Sequence, residues 1–253
     1  MPDDPFLAEL IAAVREDPET LGLLLHGSRA VGQHRADSDY DLIRIVTAEA
    51  YEVRGERGAL LEKVARDGQP KVDILYQTPS RIEPYVTDPS WYTPTYLSAV
   101  ILFDRTGEIG ALMARLAAEA GKISRERLPA AYDDYLNSFV RSIKAARRGD
   151  ELGRRLRAAH SATALIRTLF GLQRAWPPYH ESLAGHLPLL EEAQGWQPGY
   201  LQDALLRLVR DGDPALQQQL EERVELLMAG HDIAHEWAND LEPLKALRFE
   251  GDR

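Results

Sequence analysis

Cysteine is absent from the 253-residue chain, which excludes disulfides and thiolate metal centres and fits a reducing compartment. An excess of positive charge is missing too. The formal net charge at pH 7 is −10, the wrong sign for a protein whose main task is to grip a nucleic-acid backbone. A locally basic pocket is still compatible with that total. No segment approaches the ~18 consecutive apolar residues needed to span a bilayer. The opening stretch, MPDDPFLAELIAAVRED, is acidic and has neither the basic lead nor the long apolar stretch of a secretory signal. The expectation is a cytoplasmic protein with no membrane partner. Internal repeats and low-complexity tracts are also absent. With 44% hydrophobic and 28% charged residues, the composition is that of an ordinary folded protein, long enough for one large domain or two modest ones.

Up to about residue 120, short β-rich runs alternate with helical patterns. Phe6, Leu7, Leu10, Ile11 and Val14 recur at helical spacing. LGLLLHG and YDLIRIV read as strands, ALLEKVARDG as a helix closed by Gly68, and KVDILYQ as a third strand. A loop rich in proline and aromatics covers 78–96, and AVILFDRTGEI reads as a strand with a turn at Arg105-Thr106-Gly107. From about Ser124 the character changes to long helical patterns, including segments 201–210 and 216–241, interrupted by a Pro-Pro turn in QRAWPPYHESL. The pattern predicts an α+β protein: an N-terminal α/β domain with a mixed sheet over 1–122, then a C-terminal helical bundle over 123–253.

The chemistry concentrates in LLLHGSRAVGQHRADSDYDLIRIVT, residues 23–47. Residues i and i+2 of a strand point to one side, so Asp39 and Asp41 are expected to project together, with Tyr40 opposite. Two carboxylates that close repel each other unless a cation sits beside them. A hard divalent ion such as Mg²⁺ suits such a pair, because it takes a few carboxylates plus substrate phosphates. Gly27 permits close backbone approach. With the Ser28 hydroxyl and the N–H groups of a following turn, it makes a plausible anion cradle. Asp73, inside the otherwise apolar VDILY, would complete a three-acid cluster if its strand lies beside that of Asp41. It could then accept a proton from an attacking hydroxyl.

Gly-Ser, a ten-residue gap, Asp-x-Asp and a later strand aspartate resemble the nucleotidyltransferase motif of the DNA polymerase β superfamily. The stretch GSRAVG…SDYDL is especially similar to the small bacterial members, which include enzymes that adenylylate antibiotics. The resemblance implies a nucleotidyltransferase domain at the N-terminus, and one or two Mg²⁺ held by Asp39, Asp41 and Asp73. It also implies ATP as donor, bound at Gly27, Ser28 and Arg29, and a hydroxyl of a small molecule such as an aminoglycoside-like compound as acceptor. Arg29 could equally pair with a nearby acid. Residues 132–183 are similar to a helical segment that follows this domain in bacterial relatives. Those relatives tend to carry Pro-Tyr-Asn-Lys-Tyr-Leu where this chain has Pro178-Tyr179-His180-Glu181-Ser182-Leu183, so an acid replaces a lysine. Transfer to a protein or tRNA, as in toxin–antitoxin pairs, and nucleotide binding without turnover stay as alternatives. Monomer and homodimer are both compatible.

A triphosphate beside three aspartates needs basic partners. Asn137, Arg141, Lys144 and Arg148 recur at helical spacing, opposite Leu136, Phe139, Val140 and Ile143. Asn137, Arg141 and Lys144 are therefore expected to meet the triphosphate, with a plain solvated face as the competing reading. Tyr135 and Tyr179 are candidate walls of a base or acceptor pocket. His26 is read as structural. His231 and His235, taken as helical i, i+4 neighbours, are assigned to surface or packing rather than metal. The four tryptophans are read as packing anchors.

Overall fold

The computed structural model describes residues 5–65, 68 and 70–249. Expectations that touch residues 1–4, 66 and 67, in the opening stretch and the end of ALLEKVARDG, lie outside them. The chain divides into two compact units, 1–120 and 121–253, each taken by itself below.

The first unit runs α1 Pro5–Glu16, β1 Thr20–His26, α2 Gly27–Ala30, β2 Tyr40–Val46, α3 Ala48–Glu56, β3 Leu61–Val64 and β4 Val72–Gln77. Three short helices follow, α4 Pro79–Ile82, α5 Pro84–Thr87 and α6 Thr93–Leu97, and then β5 Val100–Asp104. The sheet order is β3-β4-β2-β1-β5. β2 and β4 are parallel, and every other neighbouring pair is antiparallel. A parallel pair needs a long crossover, supplied here by residues 47–71 with α3 and β3. The apolar alternation expected of half-buried strands sorts the two faces. Leu23, Leu25, Tyr40, Leu42, Val72, Ile74 and Tyr76 build one core layer, while Leu24, Ile43, Ile45, Ile82 and Tyr96 build the other.

Two expectations need correction in this unit. ALLEKVARDG is not a helix: its residues 61–64 form β3, the edge strand of the sheet. Three of the four β3 residues are exposed, so the segment lacks the buried alternation that marks a strand. The loop over 78–96 contains three one-turn helices, two of them started by Pro79 and Pro84 at N1, where a missing N–H costs nothing.

The division between the units falls within α7 Glu108–Glu126. The second unit continues with α8 Leu128–Arg147, α9 Glu151–Leu172, a 3₁₀ turn His180–Gly185, α10 Leu187–Ala193, α11 Tyr200–Asp211, α12 Pro214–Ala229 and α13 Ala238–Lys245. Leu136, Phe139, Val140 and Ile143 of α8 are buried with Leu165 and Leu169 of α9 in one helical core. The expected helix 216–241 is broken. α12 stops at Ala229, and Gly230 and the left-handed Asp232 (φ 57°) turn the chain before α13. His231 and His235 are therefore not helical neighbours. His235 Nε2 instead meets Glu225 at 3.2 Å, and its Nδ1 accepts the Trp237 N–H at 3.0 Å. Among the described residues no helix is long and apolar enough to cross a membrane.

Candidate active site

One row of residues crosses four strands. His26 is the register partner of Asp41, Asp41 of Asp73, and Asp73 of Lys63. Directly paired residues present their side chains on the same face. The face is the one that carries Leu24, Ile43 and Ile45, which lie at even spacing from His26 and Asp41 along their strands. Tyr40 goes to the other face, where its ring meets Phe6 with centroids 5.3 Å apart. Tyr40 and Asp41 thus face opposite sides of the sheet, whereas Asp39 precedes the strand.

Asp41 is half-buried, and its carboxyl is pushed above the ordinary range, first by burial and then by the charges of Asp73 and Asp39, with Lys63 opposing. Asp41 therefore feels both neighbouring carboxylates. Asp39 stands one residue ahead of β2 and is exposed. Asp73 Oδ2 lies 3.0 Å from the Lys63 ammonium. His26, half-buried at the end of β1, is held neutral: burial lowers its pKa to about 4.

Gly27 follows β1 directly and starts α2, a single turn. Its φ is +71°, and a Cβ there would lie under 3.0 Å from Asp41 Oδ2. Only glycine fits both constraints. The Asp41 carboxylate thus rests against bare backbone at the Gly27-Ser28 turn.

Arg29 takes a position that its sequence neighbourhood does not announce. It is buried, and its guanidinium donates to the main-chain carbonyl of Ser38 (2.7 and 3.0 Å) and to that of Asp39 (3.2 Å). It also sits 3.9 Å from the Tyr40 ring centroid. Its hydrogen bonds therefore go to carbonyls and not to an acid. They tie the end of the 31–39 loop to the turn that starts it, which fixes where Asp39 enters the sheet.

The second unit places the remaining candidates. Asn137, Arg141 and Lys144 lie on the side of α8 away from its buried residues. Arg141 donates to Asn137 Oδ1 at 2.8 Å, and Lys144 pairs with Asp240 at 2.8 Å. Tyr135 is buried in the helical core against Tyr132, their rings stacked at 6.3 Å. The expectation of Tyr135 as a pocket wall is corrected: it is a core residue. Among the tryptophans Trp91 departs from the packing role, being 78% exposed.

Among the described residues no set of three or more acidic or histidine side chains closes around one point as a ready metal cage. The donor set nevertheless fits a hard divalent ion. Mg²⁺ prefers one or two carboxylates plus substrate phosphates to an all-protein cage. Asp41 and Asp73, side by side with Asp39 beyond, are oxygen donors, and burial together with their like charges raises Asp41. Lys63 is the residue that sequence reasoning missed. No local spacing marks it, because its place follows from the pairing of β3 with β4.

Residues 7–95 match the family model described as a nucleotidyltransferase domain. Among solved structures, a nucleotidyltransferase-like protein from Exiguobacterium sibiricum 255-15 is similar over 95% of this chain and 85% of that one, at 15% identity and a TM-score of 0.40. No curated protein matches the chain.

Proposed function

We propose that the protein, whose residues 7–95 match the nucleotidyltransferase-domain model, moves AMP from ATP to a hydroxyl of a small-molecule acceptor, with Mg²⁺ as cofactor and pyrophosphate as leaving group. The observation that carries the reading is the in-register pairing of Asp41 with Asp73, with Asp41 against bare Gly27 backbone. That arrangement offers adjacent carboxylate oxygens beside a turn.

Asp39, Asp41 and Asp73 would hold the divalent ion, which when bound offsets the charge of the triphosphate and polarises its α-phosphorus. Gly27 and Ser28 line the approach of the phosphates with backbone N–H groups and a hydroxyl. Arg29 acts through the loop, keeping Asp39 beside Asp41. The acceptor hydroxyl attacks phosphorus in line: its oxygen forms the new P–O bond, its proton passes to Asp73, and the bond to pyrophosphate breaks. The net charge of −10 favours a cationic, aminoglycoside-like acceptor through long-range attraction.

The test is incubation with Mg²⁺ and ATP labelled at the α-phosphate against a panel of cationic polyhydroxyl compounds, a protein extract and tRNA. Label on a small molecule with equimolar pyrophosphate, lost in Asp41→Ala, supports the reading. Label only on protein or tRNA replaces the acceptor class. ATP binding with no pyrophosphate under any condition defeats turnover altogether.

A further inference from the structure

The row His26, Asp41, Asp73, Lys63 ends in a cation, and that cation belongs to an element with little other reason to carry it. β3 is a four-residue edge strand. Edge lysines commonly discourage strand pairing, and such a lysine points to solvent. Lys63 does not simply do so. It is the direct register partner of Asp73, its ammonium lies 3.0 Å from Asp73 Oδ2, and its charge reaches Asp41 as well. Its side chain is 67% exposed, so it is held to the acids by charge rather than by packing. The neighbouring residue of β3 is engaged elsewhere, Glu62 accepting the Tyr76 hydroxyl at 2.7 Å.

We infer that Lys63 is the resident counter-cation of the acidic site: its ammonium holds Asp73 in the metal-free protein, and a divalent ion must displace it to use that carboxylate. The inference rests on the nucleotidyl-transfer reading above. Lys63 is then a positioning residue that sets metal affinity. Two effects act in one direction. A half-exposed Lys–Asp pair must be broken, which weakens metal binding by about two- to fivefold. The displaced ammonium stays close on its tether, and its repulsion of a divalent charge adds a factor of a few even in water. The flexible four-carbon stem lets the ammonium swing out without disturbing the strand.

The probe is Mn²⁺ alone, followed by loss of the free-ion electron paramagnetic resonance signal on titration into the full chain, with no nucleotide and no turnover. Wild type, Lys63→Met and Lys63→Arg are compared. The expected result is about three- to tenfold tighter Mn²⁺ binding in K63M and wild-type affinity in K63R, which retains the charge. Because Lys63 is an exposed edge residue, K63M should stay folded, and circular dichroism verifies it. Equal Mn²⁺ affinity in K63M and wild type overturns the inference and leaves the nucleotidyl-transfer reading standing. In that case a loss of ATP affinity in K63M would assign the lysine to the triphosphate. Absence of Mn²⁺ binding in all three proteins overturns the inference and leaves nucleotidyl transfer to the ATP and pyrophosphate assay.

Discussion

Two glycines in the same loop permit a controlled experiment on how Asp41 is held. Gly27 and Gly32 share a φ of +71°, but a Cβ at Gly32 would meet nothing within 4 Å, whereas one at Gly27 runs into Asp41. Alanine at either position pays for the left-handed backbone, about 1–2 kcal/mol. The added collision at Gly27 is with the far end of a side chain, Oδ2, and more mildly with Asp41 Cγ at 3.1 Å and Cβ at 3.3 Å. A carboxylate can rotate away, so the extra stability cost is small. The functional cost is not. Relief requires Oδ2 to retreat by about 1 Å, and misplacement of that size in a reacting constellation costs about a hundredfold in rate.

G27A and G32A are therefore expected to have urea midpoints lowered alike. Their pyrophosphate release per folded molecule should differ: near wild type for G32A and down about a hundredfold for G27A. Mn²⁺ titration should separate the two in the same way. If G27A retains the turnover and metal affinity of G32A, the backbone at Gly27 does not position Asp41, and the account of the turn as a seat for that carboxylate is wrong.

Further expectations concern charge. Arg29→Met removes three charge-assisted contacts to Ser38 and Asp39 carbonyls from a buried position, and should cost about 2–3 kcal/mol in urea unfolding. Arg29→Lys should recover little of it, lacking the planar fork. Asp41→Asn should raise the urea midpoint at pH 7 while abolishing Mn²⁺ binding. Burial and two like charges lift the folded-state pKa of Asp41 above its ordinary 3.8, so the ionised form works against folding as pH rises through that value. The advantage of D41N should vanish near pH 3, and a midpoint unchanged at pH 7 would contradict the crowding of acids described here. In the second unit, Glu221 is fully buried and its ion partner is Lys245 at 2.8 Å. Lys245→Met should cost about 3–5 kcal/mol by stranding that charge, and adding Glu221→Leu should recover most of it. Burial works to raise Glu225, but hydrogen bonds from Lys245 and His235 outweigh it and hold it low. Its contribution is present above pH 4.5 and is lost as pH falls through the lowered value, readable as a falling urea midpoint below pH 4.5 that Glu225→Gln lacks.

The parts of this fold with strong local patterning were legible. YDLIRIV coincides with β2 because its alternation is enforced on both faces, and α8 follows the spacing of Leu136, Phe139, Val140 and Ile143. β3 was not legible. Its apolar residues, Leu61 and Val64, are three apart, a helical spacing, and edge position relieves them of burial. The end of α12 was hidden for a related reason: apolar residues continue past Ala229, and only the left-handed turn at Asp232 interrupts them. At the site, the residue types of Asp39, Asp41 and Asp73 were readable, but their proximity was conditional on strand order, a long-range property. Lys63 and the carbonyl-binding role of Arg29 depend on pairing across the sheet and on a loop path that local spacing does not encode.

That conditional step resolves into a statement about strand direction. Asp41 is the second residue of β2 and Asp73 the second of β4. In a parallel pair, matching positions in two strands lie at the same end of the sheet. In an antiparallel pair the same two residues would be separated by the strand length, about 17 Å for strands of this size. The β2–β4 contact is the one parallel pair in an otherwise antiparallel sheet. The acidic cluster therefore depends on the crossover through α3 and β3. The same crossover delivers β3 antiparallel to β4, which brings Lys63 back to the end where β4 begins. A single topological choice thus gathers the carboxylates and supplies the cation that offsets them.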